Sequence, residues 1–387
     1  MPLPSANWNY PTAVKLGAGR IRELPQWCEN LGMRRPLLIT DPGLAALPLI
    51  GSVLAHCRSA GLECGLFHDI KGNPTGKNVD DGVAIFTAGD HDGVIAFGGG
   101  SALDAAKAVA LMIGQDRPLW DFEDVGDNYL RVNVAGMAPV VAVPTTAGTG
   151  SEVGRASVIT DDHAHVKRII FHAKMLPSVV ILDPELTVGL PAKLTAATGM
   201  DALSHNLEAY CSPFYHPMAT GIALEGIRLI KQFLPRAVKD GQDLDARLQM
   251  LVASSMGATA FQRGLGAMHA LAHPLGALYD AHHGMLNAIL MPYVLKANES
   301  AIAERIELLA RYLELAQPSF LSFLDWVLAM RDSLGIPHTL NEIGIDGRDA
   351  AKVGEMAVLD GSAGTNPIPF SDADYSRIFV AAVEGML

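Results

Sequence analysis

Apolar and polar positions along the chain fall into two regimes that change near residue 187. In the first regime, short apolar runs alternate with longer stretches of helical period. Residues 36–41 (PLLITD), 64–67, 93–97, 139–143 and 180–183 read as buried strands, because each is a brief apolar run bounded by turn residues. Residues 44–59, 76–88 and 102–112 read as helices between them. Two β-branched runs, 157–160 and 166–171, predict a hairpin that carries Lys167, with His163 and His165 facing solvent in its turn. Strands alternating with helices at this spacing predict a doubly wound parallel sheet. From residue 191 onward the pattern is one of long helices with few β-rich runs. The expected organisation is an α/β domain over 1–187 and an all-α domain over 188–387, since a chain of 387 residues exceeds what one core serves.

Two turns in the first half have the character of ligand loops. The strand at 93–97 runs into Gly98-Gly-Gly-Ser101 and then into a helix. Glycines let backbone N–H groups approach an anion, and a helix N-terminus favours negative charge. The run has neither the Walker lysine nor the GxGxxG order, so on its own it names no nucleotide. Ser101 reads either as a phosphate contact or as the N-cap of the helix. Asp41, at a strand end, reads either as an acceptor for ribose hydroxyls or as the N-cap of the next helix. Residues 144–152 (PTTAGTGSE) place hydroxyls and glycines after another strand, which suits a loop wrapping polar ligand atoms.

Composition narrows the class. A formal net charge of -12, with no lysine or arginine block, excludes a nucleic-acid footprint. No apolar run approaches the roughly 18 residues of a membrane span, and the opening residues lack the basic and apolar regions of a secretory signal. Cys28, Cys57, Cys64 and Cys211 are scattered without CxxC pairing, so the expected compartment is the reducing cytoplasm.

Candidate chemistry concentrates in the second half. His269 and His273 stand four apart in an apolar setting, on one face of a helix, and His282 and His283 follow closely. Buried imidazoles need a metal, a ligand or a hydrogen-bond partner. Upstream, Asp201 and His205 are also spaced i, i+4, which aims a carboxylate and an imidazole at one point. Read alone, that pair is as consistent with a helix-stabilising contact as with a site. Asp201, His205, His269 and His283 together supply one oxygen and three nitrogens, enough for a divalent first-row metal.

These segments together resemble the iron-containing (group III) alcohol dehydrogenases of the dehydroquinate-synthase-like superfamily. The similarity runs through LGAGRIREL near the start, GNPT at 72–75, GGGSALDAAK at 98–107 and PTTAGTGSE at 144–152. It continues through DPELT at 183–187, ATGMDALSHNLEAY at 197–210, HALAHPLGALYDAHHGMLNAILMP at 269–292 and TNP at 365–367.

The resemblance implies an α/β nucleotide-binding domain, an all-helical metal-binding domain, and hydride transfer between a small alcohol or aldehyde and a nicotinamide cofactor. NAD is preferred over NADP because Asp41 would repel a 2′-phosphate. The implied metal ligands are Asp201, His205, His269 and His283, with iron preferred and zinc the alternative. His273 is implied to lie near the nicotinamide as the catalytic histidine. Cofactor contacts are implied at Asp41, Asn73, Gly99, Gly100, Ser101, Asp104, Thr145, Thr146, Thr149, Ser151 and Lys167. Family habit suggests a homodimer or higher homo-oligomer. Two departures stand out: His282 replaces a frequent proline, and Gly154 replaces a usual threonine, opening space in the cofactor loop. The rival activities are a metal-independent reductase resembling maleylacetate reductase and a lyase resembling dehydroquinate synthase. The full ligand set disfavours the first, and the apolar segments around the ligands disfavour the second.

Overall fold

The computed structural model describes residues 6–8, 12–164 and 166–387; His165 of the predicted turn lies outside the described residues. The chain divides into two compact units: Met1–Thr146 with Gly150–Val188, and Ala147–Thr149 with Gly189–Leu387.

Among the described residues, the first unit carries nine strands: β1 (Ala6–Trp8), β2 (Ala13–Leu16), β3 (Leu37–Ile39), β4 (Gly65–Phe67), β5 (Val94–Gly98), β6 (Val140–Pro144), β7 (Ala156–Asp161), β8 (Val166–Phe171) and β9 (Val179–Leu182). Seven form one sheet in the order β1-β2-β9-β6-β5-β3-β4, with every neighbouring pair parallel except β1–β2. β7 and β8 pair antiparallel as a separate hairpin, as expected from their β-branched runs. Its exposed turn holds His163, as the polar sequence there predicts.

Helices α1 (Leu24–Asn30), α2 (Pro42–Ala45), α3 (Pro48–Ser59), α4 (Gly76–Ala88) and α5 (Gly100–Met112) complete this unit. β3, β5, β6 and β9 are buried along their whole length, the mark of a parallel sheet covered on both faces. Leu38, Ile95, Phe97, Val141, Val143 and Ile181 form one apolar layer with Leu24, Cys28, Ile50, Val53 and Cys57 from α1 and α3. α5 packs on β5 and against α4.

Two local expectations need correction, and one pair of strands is added. The single helix expected over 44–59 is two, because Pro48 forces Leu47 into extended backbone (φ −86°, ψ 148°) and starts a new helix. β1 and β2 were not anticipated, because Lys15 interrupts the apolar run of β2, yet β2 joins the sheet beside β9. Ser101 is not an N-cap: Gly99 holds that position, and Ser101 Oγ instead donates to the carbonyl of Gly72.

The strand order places the reversal of winding between β3 and β5, where the chain leaves for β4 and returns to the opposite side of β3. In open α/β sheets ligands bind outside the carboxyl ends of the strands at that reversal. The residues there are Asp41 and Gly98–Ser101. Gly98 has φ +141°, and a Cβ on it would stand 2.9 Å from Ala102 Cβ and 3.2 Å from Leu44 Cδ1. Gly98→Ala should therefore cost about 2–4 kcal/mol from backbone strain and crowding together. Thermal melting checks this. An unchanged midpoint would show that the turn tolerates a side chain.

The second unit has no strand among the described residues. It consists of α6 (Ala192–Cys211), α7 (Pro217–Lys239), α8 (Leu244–Ala260), α9 (Ala267–Tyr279), α10 (His283–Tyr312), α11 (Phe320–Ser333), α12 (Ala350–Val358) and α13 (Asp372–Glu384). α6 is buried almost all round and packs against α7, α8 and α10, so it is the central helix of the bundle. Among the described residues, no helix is long and apolar enough to cross a membrane.

Candidate active site

At the carboxyl end of the sheet, Asp41 Oδ1 accepts the backbone N–H of Leu44 at 3.0 Å and so caps α2. One of its two sequence readings, the cap, is therefore realised. The carboxylate stays at the turn: its Oδ2 lies 3.6 Å from where a Cβ on Gly98 would be. Gly99 is the N-cap of α5 and brings no capping side chain, which leaves the first N–H groups of α5, from Gly100 onward, as donors for an anion. Thr145 donates its N–H to the Gly98 carbonyl at 3.0 Å, and Thr146 Oγ1 lies 3.4 Å from where a Cβ on Gly99 would be. Asn73 precedes Pro74, whose carbonyl accepts from Thr160 of the hairpin at 2.7 Å, and Thr75 caps α4 through a reciprocal pair with Asn78. Lys167 lies half-buried on β8 of that hairpin, and Thr149 clusters with the second unit.

Asp104 and Ser151 behave differently from the expected cofactor contacts. Ser151 Oγ donates to Asp104 Oδ1 at 2.5 Å, and Val158 N–H donates to Asp104 Oδ2 at 3.0 Å. Lys107, 1 % exposed, lies 3.3 Å from Asp104 Oδ1 and also donates to the carbonyl of Ala156. Burial pulls the Lys107 ammonium below its ordinary range, against the opposing pull of Asp104 and Glu152. Both oxygens of Asp104 thus brace the loop against α5. At Gly154 a Cβ would fit in ordinary contact, 3.4 Å from Ser151 O and 3.5 Å from Lys107 Nζ, so the glycine leaves that space unfilled.

In the second unit, α6 carries Asp201 and His205, α9 carries His269, and His283 opens α10. These four offer ligand atoms that all lie within 4.8 Å of one another. Asp201, His205 and His269 are buried, and His283 is partly so. The imidazoles of His205 and His269 stack with centroids 4.7 Å apart, and His283 Nε2 lies 3.7 Å from Asp201 Oδ1.

Partners behind the cluster set the tautomers. His205 Nδ1 lies 3.2 Å from the carbonyl of Gly148, so the N–H sits on Nδ1 and leaves Nε2 with its lone pair. Burial pulls His205 down to about 4, opposed by Asp201, so this ring is neutral at physiological pH. His269 Nδ1 donates to Glu208 Oε2 at 2.6 Å, which turns its Nε2 toward the cluster. Burial works to lower His269, but the Glu208 carboxylate outweighs it and holds the ring above its ordinary value. Glu208 is also fixed by the N–H of Met268 at 2.7 Å. Carboxylate–histidine pairs of this kind orient ligands and raise their basicity. Sequence reasoning passed over Glu208, although it follows Asp201 and His205 on the same face of α6.

The donor set fits a divalent metal. One carboxylate and three imidazoles converge, and a buried carboxylate without a cation is costly. The softness of three nitrogens and one oxygen suits iron or zinc.

His273 is on α9 one turn beyond His269 and stacks on His283 with centroids 5.5 Å apart. Its Nδ1 lies 2.7 Å from Asp360 Oδ2. Burial pushes the Asp360 carboxyl up, but His273 and Ser362 together hold it below the usual carboxylate range. Asp360 carries no local motif and could not have been read from the chain. His282 is exposed and caps α10, with Nδ1 accepting the N–H of Met285 at 3.3 Å.

Known proteins resemble this chain over nearly its whole length. The profile for iron-containing alcohol dehydrogenase matches residues 11–184, and that for the C-terminal part of the Fe-containing alcohol dehydrogenase family matches 195–383. The chain is 40% identical over 379 residues to a 4-hydroxybutyrate dehydrogenase of Cupriavidus necator, covering 95% of this chain and 97% of that one. It is 34% identical over 384 residues to an NAD-dependent methanol dehydrogenase of Bacillus methanolicus, covering 97% and 100%. Among solved structures, a 1,3-propanediol oxidoreductase superposes with a TM-score of 0.91 at 35% identity, covering 99% of this chain and 100% of that one. With both profiles matched in order and these relatives aligned nearly end to end, the chain belongs to the iron-containing alcohol dehydrogenase family.

Proposed function

We propose that the protein is an NAD-dependent dehydrogenase of short primary alcohols, working reversibly on their aldehydes, with one divalent metal held by Asp201, His205, His269 and His283. The observation that carries this reading is the convergence of those four donors within 4.8 Å. Iron is the preferred metal, in keeping with the family, and zinc is the alternative. The named substrates of the similar enzymes, 4-hydroxybutyrate, methanol and 1,3-propanediol, share a hydroxyl on a terminal carbon.

When bound, the metal supplies a Lewis acid for the substrate oxygen and the nicotinamide accepts the hydride. The chain's own residues do the rest. Gly148 and Glu208 hold His205 and His269 with Nε2 aimed at the centre. His273, its Nδ1 anchored on Asp360, offers Nε2 as acceptor for the hydroxyl proton. The N–H groups opening α5 take the dinucleotide's phosphates, with Gly99, Gly100, Ser101, Thr145, Thr146, Asn73 and Lys167 lining the same ligand. Asp104 and Ser151 support that loop from behind. The reading also places the protein in the cytoplasm as a homodimer or larger, consistent with four free cysteines and testable by light scattering.

The test is NADH formation from a panel of primary alcohols, before and after chelation. Activity should vanish with the metal and return with Fe2+ or Zn2+; full turnover by chelated protein would sink the reading. Cofactor preference has its own variant. Asp41→Ser keeps a good cap for α2 but removes the charge facing a 2′-phosphate. The preference for NAD over NADP, measured as the ratio of kcat/KM values, should narrow by about tenfold to a hundredfold, roughly 1.4–3 kcal/mol of removed repulsion.

A further inference from the structure

Asn287 lies on α10 one turn beyond His283, and it is completely buried. Its Nδ2 stands 2.8 Å from Asp201 Oδ1 and 3.2 Å from both His269 Nε2 and His283 Nε2. Those three atoms belong to three of the four clustered donors. The other end of the amide is idle, for Oδ1 is buried with no hydrogen-bond partner. A buried amide held only by its donor end gains nothing from its acceptor, so packing does not explain the choice of asparagine. Leucine would fill nearly the same volume at lower cost.

We propose that Asn287 is a positioning residue for the metal: its amide orients the Asp201 carboxylate so that the oxygen meets the imidazoles of α9 and α10. The inference rests on the metal-binding reading of Asp201, His205, His269 and His283. Asp201 and Asn287 are on different helices, and the amide is the link between the carboxylate of α6 and the histidine end of α10. The chemistry needs a donor here, because Asp201 offers only acceptors. An amide serves where an ammonium or guanidinium would not, since a fixed positive charge at that spot would compete with the cation.

The test measures metal affinity directly. Metal-depleted wild type, Asn287→Leu, Asn287→Ser, Asn298→Leu and His269→Ala are titrated with Zn2+ against a chromophoric chelator. The visible spectrum of the Co2+-loaded proteins is recorded in parallel. Loss of an outer partner of a ligand typically costs 10–100-fold in metal affinity. Asn287→Leu should weaken Zn2+ binding by about that factor and alter the Co2+ spectrum. Asn287→Ser, which keeps a donor on a shorter arm, should fall between it and wild type, and it carries the test if the leucine variant does not fold. Asn298, a buried asparagine farther along α10 that bonds Asn366, controls for structural loss: its variant should melt earlier with wild-type affinity. Wild-type affinity and spectrum in both Asn287 variants would overturn the proposal. Retention of tight binding by His269→Ala would instead overturn the metal-binding reading beneath it.

Discussion

Replacing His269 with alanine is expected to remove the metal and at least three orders of magnitude of turnover together, and Asp201→Ala should do the same. The argument is geometric. His269 Nε2 is aimed by a 2.6 Å hydrogen bond from Nδ1 to Glu208, and Asp201 supplies the only carboxylate of the four clustered groups. Losing one of four donors leaves solvent to fill its position, which weakens the protein's hold on a divalent ion and opens the geometry that presents the substrate oxygen. A catalytic metal contributes several kcal/mol of charge stabilisation, and each 1.36 kcal/mol is tenfold in rate, so a loss of about 10³–10⁴ follows. His282→Ala is the control. That histidine is exposed and caps α10 beside a ligand, so its loss should leave metal content unchanged. Metal analysis under anaerobic conditions, paired with NADH formation, reads both quantities. A His269→Ala protein that retains stoichiometric metal and turnover would refute the assignment.

The clustered donors were legible only in part: helical spacing marked Asp201 with His205 and the run of histidines from His269, and the family resemblance picked His269 and His283 out of that run. His269 and the histidines that follow it fall within a few turns, and Asp201 with His205 repeats the i, i+4 interval. The groups that hold those donors were less legible, for physical reasons. Glu208 continues the face begun by Asp201 and His205, but an acid on a helix is usually a solvated one, so its burial had no sequence mark. Asp360 is 87 positions from His273, in a stretch without period, and only the folded chain brings them to 2.7 Å.

Asp104, on α5, and Ser151, in the loop after β6, are 47 positions apart, and nothing local in the chain marks the hydrogen bond that the fold places between them. The sheet was read correctly where a strand is an uninterrupted apolar run, as in β5, β6 and β9. β2 escaped because Lys15 breaks its apolar run, and the split of the helix at Pro48 escaped because one residue decides it.

Gly284→Val should cost the protein its metal without touching a ligand. Gly284 follows His283 at the start of α10, where that helix packs against α6. A Cβ on Gly284 would stand 2.6 Å from the carbonyl oxygen of Ala197 and 3.1 Å from Asp201 Cβ. Neither neighbour is a flexible side-chain tip that could swing away: one is helix backbone and the other anchors a clustered carboxylate. Relief therefore comes from moving α10 away from α6, which carries His283 away from Asp201. A shift of about 1 Å at such a centre can cost 10² in function, and overpacking typically adds 1–3 kcal/mol of instability. The variant should bind Zn2+ at least a hundredfold more weakly, melt earlier and keep its helical circular dichroism, with Gly284→Ala intermediate. If Gly284→Val binds Zn2+ as wild type does, the two helices do not need their close approach and the spacing of the donors must be set elsewhere in the bundle.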